Sequence, residues 1–293
     1  MRRGRYYMAR VIKLGELNQT KLINAIVNAP TVPIGQFEWT ITDVVDRRDS
    51  TAPYVFGNLA KYSREGKVKI VDEAGKHQLQ ARAQNLLEAS APFVYLPQFS
   101  GLAFLHVWDG IQEDIFPRRF KAIIEGAYDN FFVDCTVEPV VDYRAFLQKL
   151  SSLDRIIELS AKVHPPNPLF GRLWQSLDGY VKKRQAEEIS VREKTERTSG
   201  LSTQLLTLMQ KILEDPRYVP TQTPDITDAA MLMAADGYGS GKAVGIEGTH
   251  EVIVRTSESQ KSFLFEKEPT PESLANAAKA QFERVSNERD MKH

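Results

Sequence analysis

The stretch 131-FFVDCTVEPVVDYRAFLQKLSSLDRIIELSAKVHPPNP-168 decides how the chain is read. Phe131, Val133, Cys135 and Val137 alternate with Phe132, Asp134, Thr136 and Glu138, the period-2 pattern of a strand with two unlike faces. Pro139 ends that run, because proline brings no N–H to a sheet ladder. Tyr143, Phe146, Leu147 and Leu150 then fall at helical spacing. Ile156, Ile157, Leu159, Ala161 and Val163 make a second, largely apolar strand, stopped by Pro165, Pro166 and Pro168. The economical reading is a parallel pair of strands with a crossover helix, since the apolar side of that helix needs a sheet to cover.

Upstream, Phe93–Leu96 and Leu102–Val107 flank PQFSG and read as antiparallel strands around a turn. Ile115–Tyr128 is helical, with Phe116, Phe120, Ile123, Ile124 and Ala127 on one face. Downstream, Leu169–Glu188 reads as a long helix with Trp174 on its buried stripe. This order predicts an α+β fold: mixed, largely antiparallel sheets, helices on one face, and a split-βαβ (ferredoxin-like) core around 93–188. Before that core come a strand over Arg5–Leu14, a helix capped by Asn18, and strands over Gln36–Val45, Tyr54–Tyr62 and Lys67–Val71. His77–Glu88 fits an outer strand or a helix, with Ala81, Ala83, Leu86 and Leu87 favouring a helix at its end.

Residues 1–188 are therefore expected to form the main domain and 189–224 a polar connection holding a short helix, Leu205–Leu213. Residues 225–293 are expected to form a C-terminal module packing on the main domain. In it, a helix over Ile226–Asp236 ends at Gly237, strands follow over Lys242–Ile246, Glu251–Thr256 and Ser262–Phe265, and a last helix covers Glu272–Val285.

The 293 residues carry 38 Lys+Arg against 38 Asp+Glu, so no global charge argues for a nucleic-acid or membrane partner and local patches must carry any such case. The single cysteine, Cys135, excludes an intrachain disulfide, a CxxC pair and a multi-cysteine zinc site, and reads as a buried structural thiol. Arg10 and Lys13 interrupt the N-terminal apolar run, and no stretch approaches a membrane span of about 20 apolar residues. A cytoplasmic protein without membrane contact, metal or organic cofactor is the expectation.

Candidate chemistry is sparse. The glycine-rich run Asp236–Gly245, DGYGSGKAVG, invites a phosphate-loop reading, but a helix enters it and a strand leaves it, which puts the wrong end of a helix dipole nearby. It reads as helix termination and turn. His77, His106, His164, His250 and His293 show no HxxxH or HExxH spacing, and His106, Asp109 and Glu113 are the nearest approach to a metal cluster. No GxSxG elbow exists. Basic clusters remain: Arg2, Arg3 and Arg5; Arg47 and Arg48; Arg64 and Lys67; Arg118 and Arg119; Lys182, Lys183 and Arg184. The last three sets are the candidate nucleic-acid contacts, on condition that they converge on one side of a sheet.

Two blocks, VEPVVDYRAFLQKLSSLDRIIELSAKVHPPNP and AADGYGSGKAVGIEGTHEVIVRTSES, resemble in order and spacing the bacterial proteins grouped as domain-of-unknown-function family 4747. Where that resemblance leads one to expect a lysine-histidine pair, this chain has Phe99–Phe104, FSGLAF. The resemblance implies a setting in mobile elements and phage defence and transfers no catalytic residue. The functional expectation is a non-enzymatic binding or adaptor component recognising nucleic acid or a partner protein through one face of its sheet, with self-association left open. The alternative is a metal-dependent nuclease-like or other hydrolytic effector using Asp109, Glu113 and Asp114.

Overall fold

The computed structural model describes residues 2–72, 74, 76–165, 177, 181, 183–184, 186–215 and 217–289. It contains two compact units: Met1–Tyr6, Lys13–Val137 and Leu264–Asn276 form the first, and Tyr7–Ile12, Glu138–Phe263 and Ala277–His293 the second. The class is α+β, with mostly antiparallel strands in two sheets. Among the described residues no helix is long and apolar enough to cross a membrane.

In chain order the elements begin with β1 (Arg3–Gly15), α1 (Gln19–Val27), β2 (Val32–Ile34), β3 (Phe37–Asp46), β4 (Val55–Asp72) and β5 (His77–Leu96). They continue with β6 (Gly101–Leu105), α2 (Ile115–Gly126), β7 (Val133–Pro139), α3 (Tyr143–Ser151), β8 (Arg155–Val163) and β9 (Ile189–Lys194). Then come α4 (Leu205–Glu214), α5 (Ile226–Met233), β10 (Gly239–Glu247), β11 (His250–Arg255), β12 (Ser262–Glu266) and α6 (Pro271–Glu288). One sheet runs β12–β1–β6–β5–β4–β3–β2 with β7 also pairing β1; the other runs β11–β10–β8–β9.

In the first unit, α1 and α2 pack on the same face of the large sheet. Phe93, Phe116 and Phe120 meet edge to face, while Phe104 and Phe116 stack with centroids 4.2 Å apart. The Tyr95 hydroxyl, on the same side of β5 as Phe93, donates to Gln19 of α1 at 2.9 Å. Asn18 caps α1 by accepting from the Lys21 amide. Cys135 is fully buried and free, and burial pushes its thiol up to about 12, which leaves it inert.

In the second unit, α5 packs on β8, β9 and β10 and covers one face of the four-stranded sheet. At its end the chain turns through Ala234–Tyr238, where Gly237 takes φ 87°, a left-handed conformation that suits a residue without a Cβ. That turn buries Asp236 between two buried arginines. Its carboxylate accepts from Arg289 at 2.5 Å and from the Tyr143 hydroxyl at 2.8 Å, and its carbonyl accepts from the Arg10 Nε at 2.8 Å. Arg289 also donates to the Val141 carbonyl and lies over the Tyr143 ring at 3.9 Å, while Arg10 lies over Tyr238 at 4.7 Å. One carboxylate and the faces of two phenol rings thus share two desolvated guanidinium groups.

Several expectations change. The parallel pair is not formed, because β7 pairs β1 in the large sheet whereas β8 lies between β10 and β9, antiparallel to both. The split-βαβ order for 93–188 therefore does not describe the strand arrangement, although the class and the helix-covered faces stand. Helix α3 bears out the spacing argument, burying Tyr143, Phe146 and Leu150. The first strand of the opening stretch begins at Val133; Phe131 and Phe132 are exposed, and Asp129, Asn130 and Phe132 have positive φ. His77–Glu88 is strand throughout, because its pairing with β4 outweighs the helical propensity of its Ala, Leu and Gln residues. The start of the polar run after Glu188 is the edge strand of the small sheet, β9, paired with β8. The long helix expected over Leu169–Glu188, with Trp174, falls largely outside the described residues.

Candidate nucleic-acid interface

The face of the four-stranded sheet opposite α5 takes its chemistry from strand register. Arg255, Lys242, Ser160 and Arg192 form one rung across β11, β10, β8 and β9. Ser240, Lys162 and Ser190 form the next. Residues two apart on a strand share a face, so Ser160/Lys162, Ser190/Arg192 and Ser240/Lys242 all project to the same side. They border an open depression of about 410 Å³.

Glu158, one rung away on β8, orders this surface. It is buried and binds Arg192 at 2.7 Å and Lys242 at 2.9 Å. Hydrogen bonds from Arg192 first and Lys242 second hold its pKa down to about 2. Lys162 pairs with Glu188 at 2.9 Å and Arg255 with Glu258 at 3.1 Å. Two cations share one carboxylate, and Lys194, opposite Glu158 on β9, adds a further charge, so the face stays net positive.

The depressed pKa has a testable consequence. Folding favours the ionised Glu158, so its contribution is full above the ordinary value of 4.5 and is lost as pH falls towards about 2. Chemical denaturation across that window is expected to show a steeper stability loss in the wild-type chain than in Glu158→Gln. Parallel curves would mean that the carboxylate is not held by its two cations.

The basic residues singled out in the sequence lie on separate elements. Arg64 and Lys67 lie on β4, where Arg64 pairs with buried Glu38 at 2.6 Å and Lys67 is exposed. Arg118 and Arg119 lie on α2; Arg118 binds Asp114, and Arg119 lies over Trp39 at 5.1 Å with its pKa lowered by burial and by Arg118. Glu38 and Trp39 are consecutive in β3 and face opposite ways, so Arg64 and Arg119 end on opposite sides of that strand. Lys183 and Arg184 are helical and exposed, whereas Lys182 falls outside the described residues.

The acidic candidates have local roles. His106 Nδ1 and Glu113 are 2.6 Å apart, Asp109 occupies a left-handed turn position, and Asp114 holds Arg118. Among the described residues no group of three or more His, Cys, Asp or Glu is disposed to hold a metal ion. The glycine-rich run is the turn from α5 into β10, with Asp236 directed into the ion cluster. Sequence reasoning missed Lys162, Arg192 and Arg255, and set Lys242 aside with the glycine-rich run. For Lys162, Arg192 and Lys242 the signal was the spacing Ser-x-Lys or Ser-x-Arg at 160–162, 190–192 and 240–242; Arg255 follows Ile253 and Val254 and carries no such pairing.

Residues 20–214 match the family described as Domain of unknown function (DUF4747). The chain belongs to the DUF4747 family. No curated protein matches it. The DUF4747 span takes in β8 and β9 and stops before β10 and β11, so Lys242 and Arg255 are supplied from beyond the matched segment.

Proposed function

We propose that this DUF4747 chain is a non-enzymatic binding protein that holds nucleic acid by its phosphate backbone on the uncovered face of the four-stranded sheet. The observation that carries this reading is the register that brings Ser-x-Lys or Ser-x-Arg pairs of three adjacent strands onto one net-positive face. Lysine and arginine neutralise phosphates and release counterions, and serine hydroxyls donate to phosphate oxygens without reading sequence. The pairs that border the depression include no aromatic ring, so stacking plays no part and the binding is electrostatic. The resemblance implies the setting, an adaptor of a defence or mobile-element system.

Lys162→Glu combined with Arg255→Glu tests the reading while sparing the Glu158 pairs. Retention of labelled DNA or RNA is expected to fall about tenfold or more at low salt, and the slope of log affinity against log salt to shrink by about 2, as two phosphate contacts are lost. Unchanged retention in the double variant would refute the assignment of this face. Lack of retention by the wild-type chain would leave a protein partner as the ligand.

A further inference from the structure

In the first unit the β4–β5 ladder continues past the strands that flank it. β3 pairs β4 only as far as Tyr62, and β6 pairs β5 only from Phe93. Ser63–Asp72 and His77–Leu87 therefore make a two-stranded ribbon with no further strand on either edge among the described residues. At about 3.3 Å per residue, ten residues of β4 give it a length of roughly 30 Å. Arg64 ties its base to β3 through Glu38.

Register sorts the ribbon into two faces. Lys67 opposes Arg82, Lys69 opposes Gln80, Glu65 opposes Gln84 and Val71 opposes Gln78, so three cations and three amides share one side with a single carboxylate, Glu65, and Val71. Lys67, Lys69, Arg82 and the three glutamines are all exposed. Gly66 opposes Ala83, Val68 opposes Ala81 and Ile70 opposes Leu79 on the other side, which supplies the apolar cross-strand pairs that hold the ribbon together. Opposing Lys67 directly to Arg82 works against the ribbon's own stability, since like charges across a ladder repel and a lone hairpin is marginal. A polyanion along that face relieves the repulsion.

We infer that the ribbon enters the major groove of duplex DNA with the Lys67, Lys69 and Arg82 face inward. This rests on the nucleic-acid reading above and names the form of nucleic acid recognised. A B-form major groove about 12 Å wide admits a two-stranded ribbon, and glutamine pairs in bidentate fashion with the N6 and N7 edge of adenine. The A-form major groove of duplex RNA is too deep and narrow for side chains to read. Duplex DNA is thus the ligand of this face and duplex RNA is not.

The test is fluorescence anisotropy of the full chain with labelled duplex DNA, duplex RNA and single-stranded DNA at one fixed salt concentration. Lys67→Glu, Lys69→Glu and Arg82→Glu together are expected to weaken duplex DNA binding about tenfold or more while single-strand binding changes by less than about twofold. The milder set Gln78→Ala, Gln80→Ala and Gln84→Ala keeps the cations and is expected to flatten sequence preference in selection from a random duplex library, with little change in the salt slope. Duplex RNA bound as tightly as duplex DNA overturns the inference, as does a charge-reversed ribbon that binds duplex DNA like the wild type. If sheet-face substitutions abolish binding and ribbon substitutions do not, the inference alone fails. If the wild-type chain binds none of the three probes, both readings fail.

Discussion

Replacing Asp236 by alanine is expected to lower the free energy of unfolding of the second unit by about 3–5 kcal/mol, because removing one partner of a buried ion pair leaves uncompensated charge in the interior. Arg10 is 1% and Arg289 5% exposed, so neither guanidinium gains water when the carboxylate goes. Tyr143 also loses the acceptor of its buried hydroxyl. The ring faces of Tyr143 and Tyr238 offset part of the loss, since a cation over an aromatic face is stabilised by about 0.5–2 kcal/mol. Asp236→Asn keeps an oxygen for Tyr143 and Arg289 but removes the charge, and is expected to fall between wild type and alanine. Amide hydrogen exchange followed by mass spectrometry, read on peptides from α3 and β10, is the suitable measurement, because a chain with two compact units need not unfold in two states. A loss below about 1 kcal/mol in the alanine variant would show that the arginines do not depend on this carboxylate.

Phe116→Ala is expected to cost the first unit about 3–5 kcal/mol, the range for removing a buried phenyl ring and leaving a cavity. Phe116 is fully buried on α2, stacked on Phe104 and edge-on to Phe93, with the Phe120 ring 6.0 Å away. Each such ring pair adds about 0.5–1.5 kcal/mol beyond the area it buries. Phe116→Leu keeps most of the volume and is expected to cost less than about 1.5–2 kcal/mol. Exchange protection in β5 and β6 should fall for the alanine variant, while peptides from α5 and β10 report whether the second unit responds. Wild-type protection in β5 and β6 would mean that the cluster is not what fastens α2 to the sheet.

Local periodicity alone established much of this protein. The spacing of Tyr143, Phe146 and Leu150 and that of Phe116, Phe120, Ile123 and Ile124 identified helices and their buried faces, since a 3.6-residue period needs no knowledge of distant neighbours. Asn18 announced the start of α1 and Gly237 the left-handed turn that follows α5, because caps and left-handed positions are dictated by a few adjacent residues. Cys135, alone in the chain, by itself ruled out an intrachain disulfide and a multi-cysteine metal site. Strand partnership was different. The period of β8 says that Leu159, Ala161 and Val163 share a face, but not that β9 and β10 will lie beside it in place of β7, because hydrogen-bond partners are chosen by packing across long sequence separations. The same reason hid the candidate site. Ser160 and Lys162, Ser190 and Arg192, and Ser240 and Lys242 are visible in the sequence as separate pairs, and become one surface only when three strands far apart in the chain adopt a common register. Propensity also misled at His77–Glu88, where residues suited to a helix are held as strand by β4, and that tertiary pairing is what creates the two-faced ribbon.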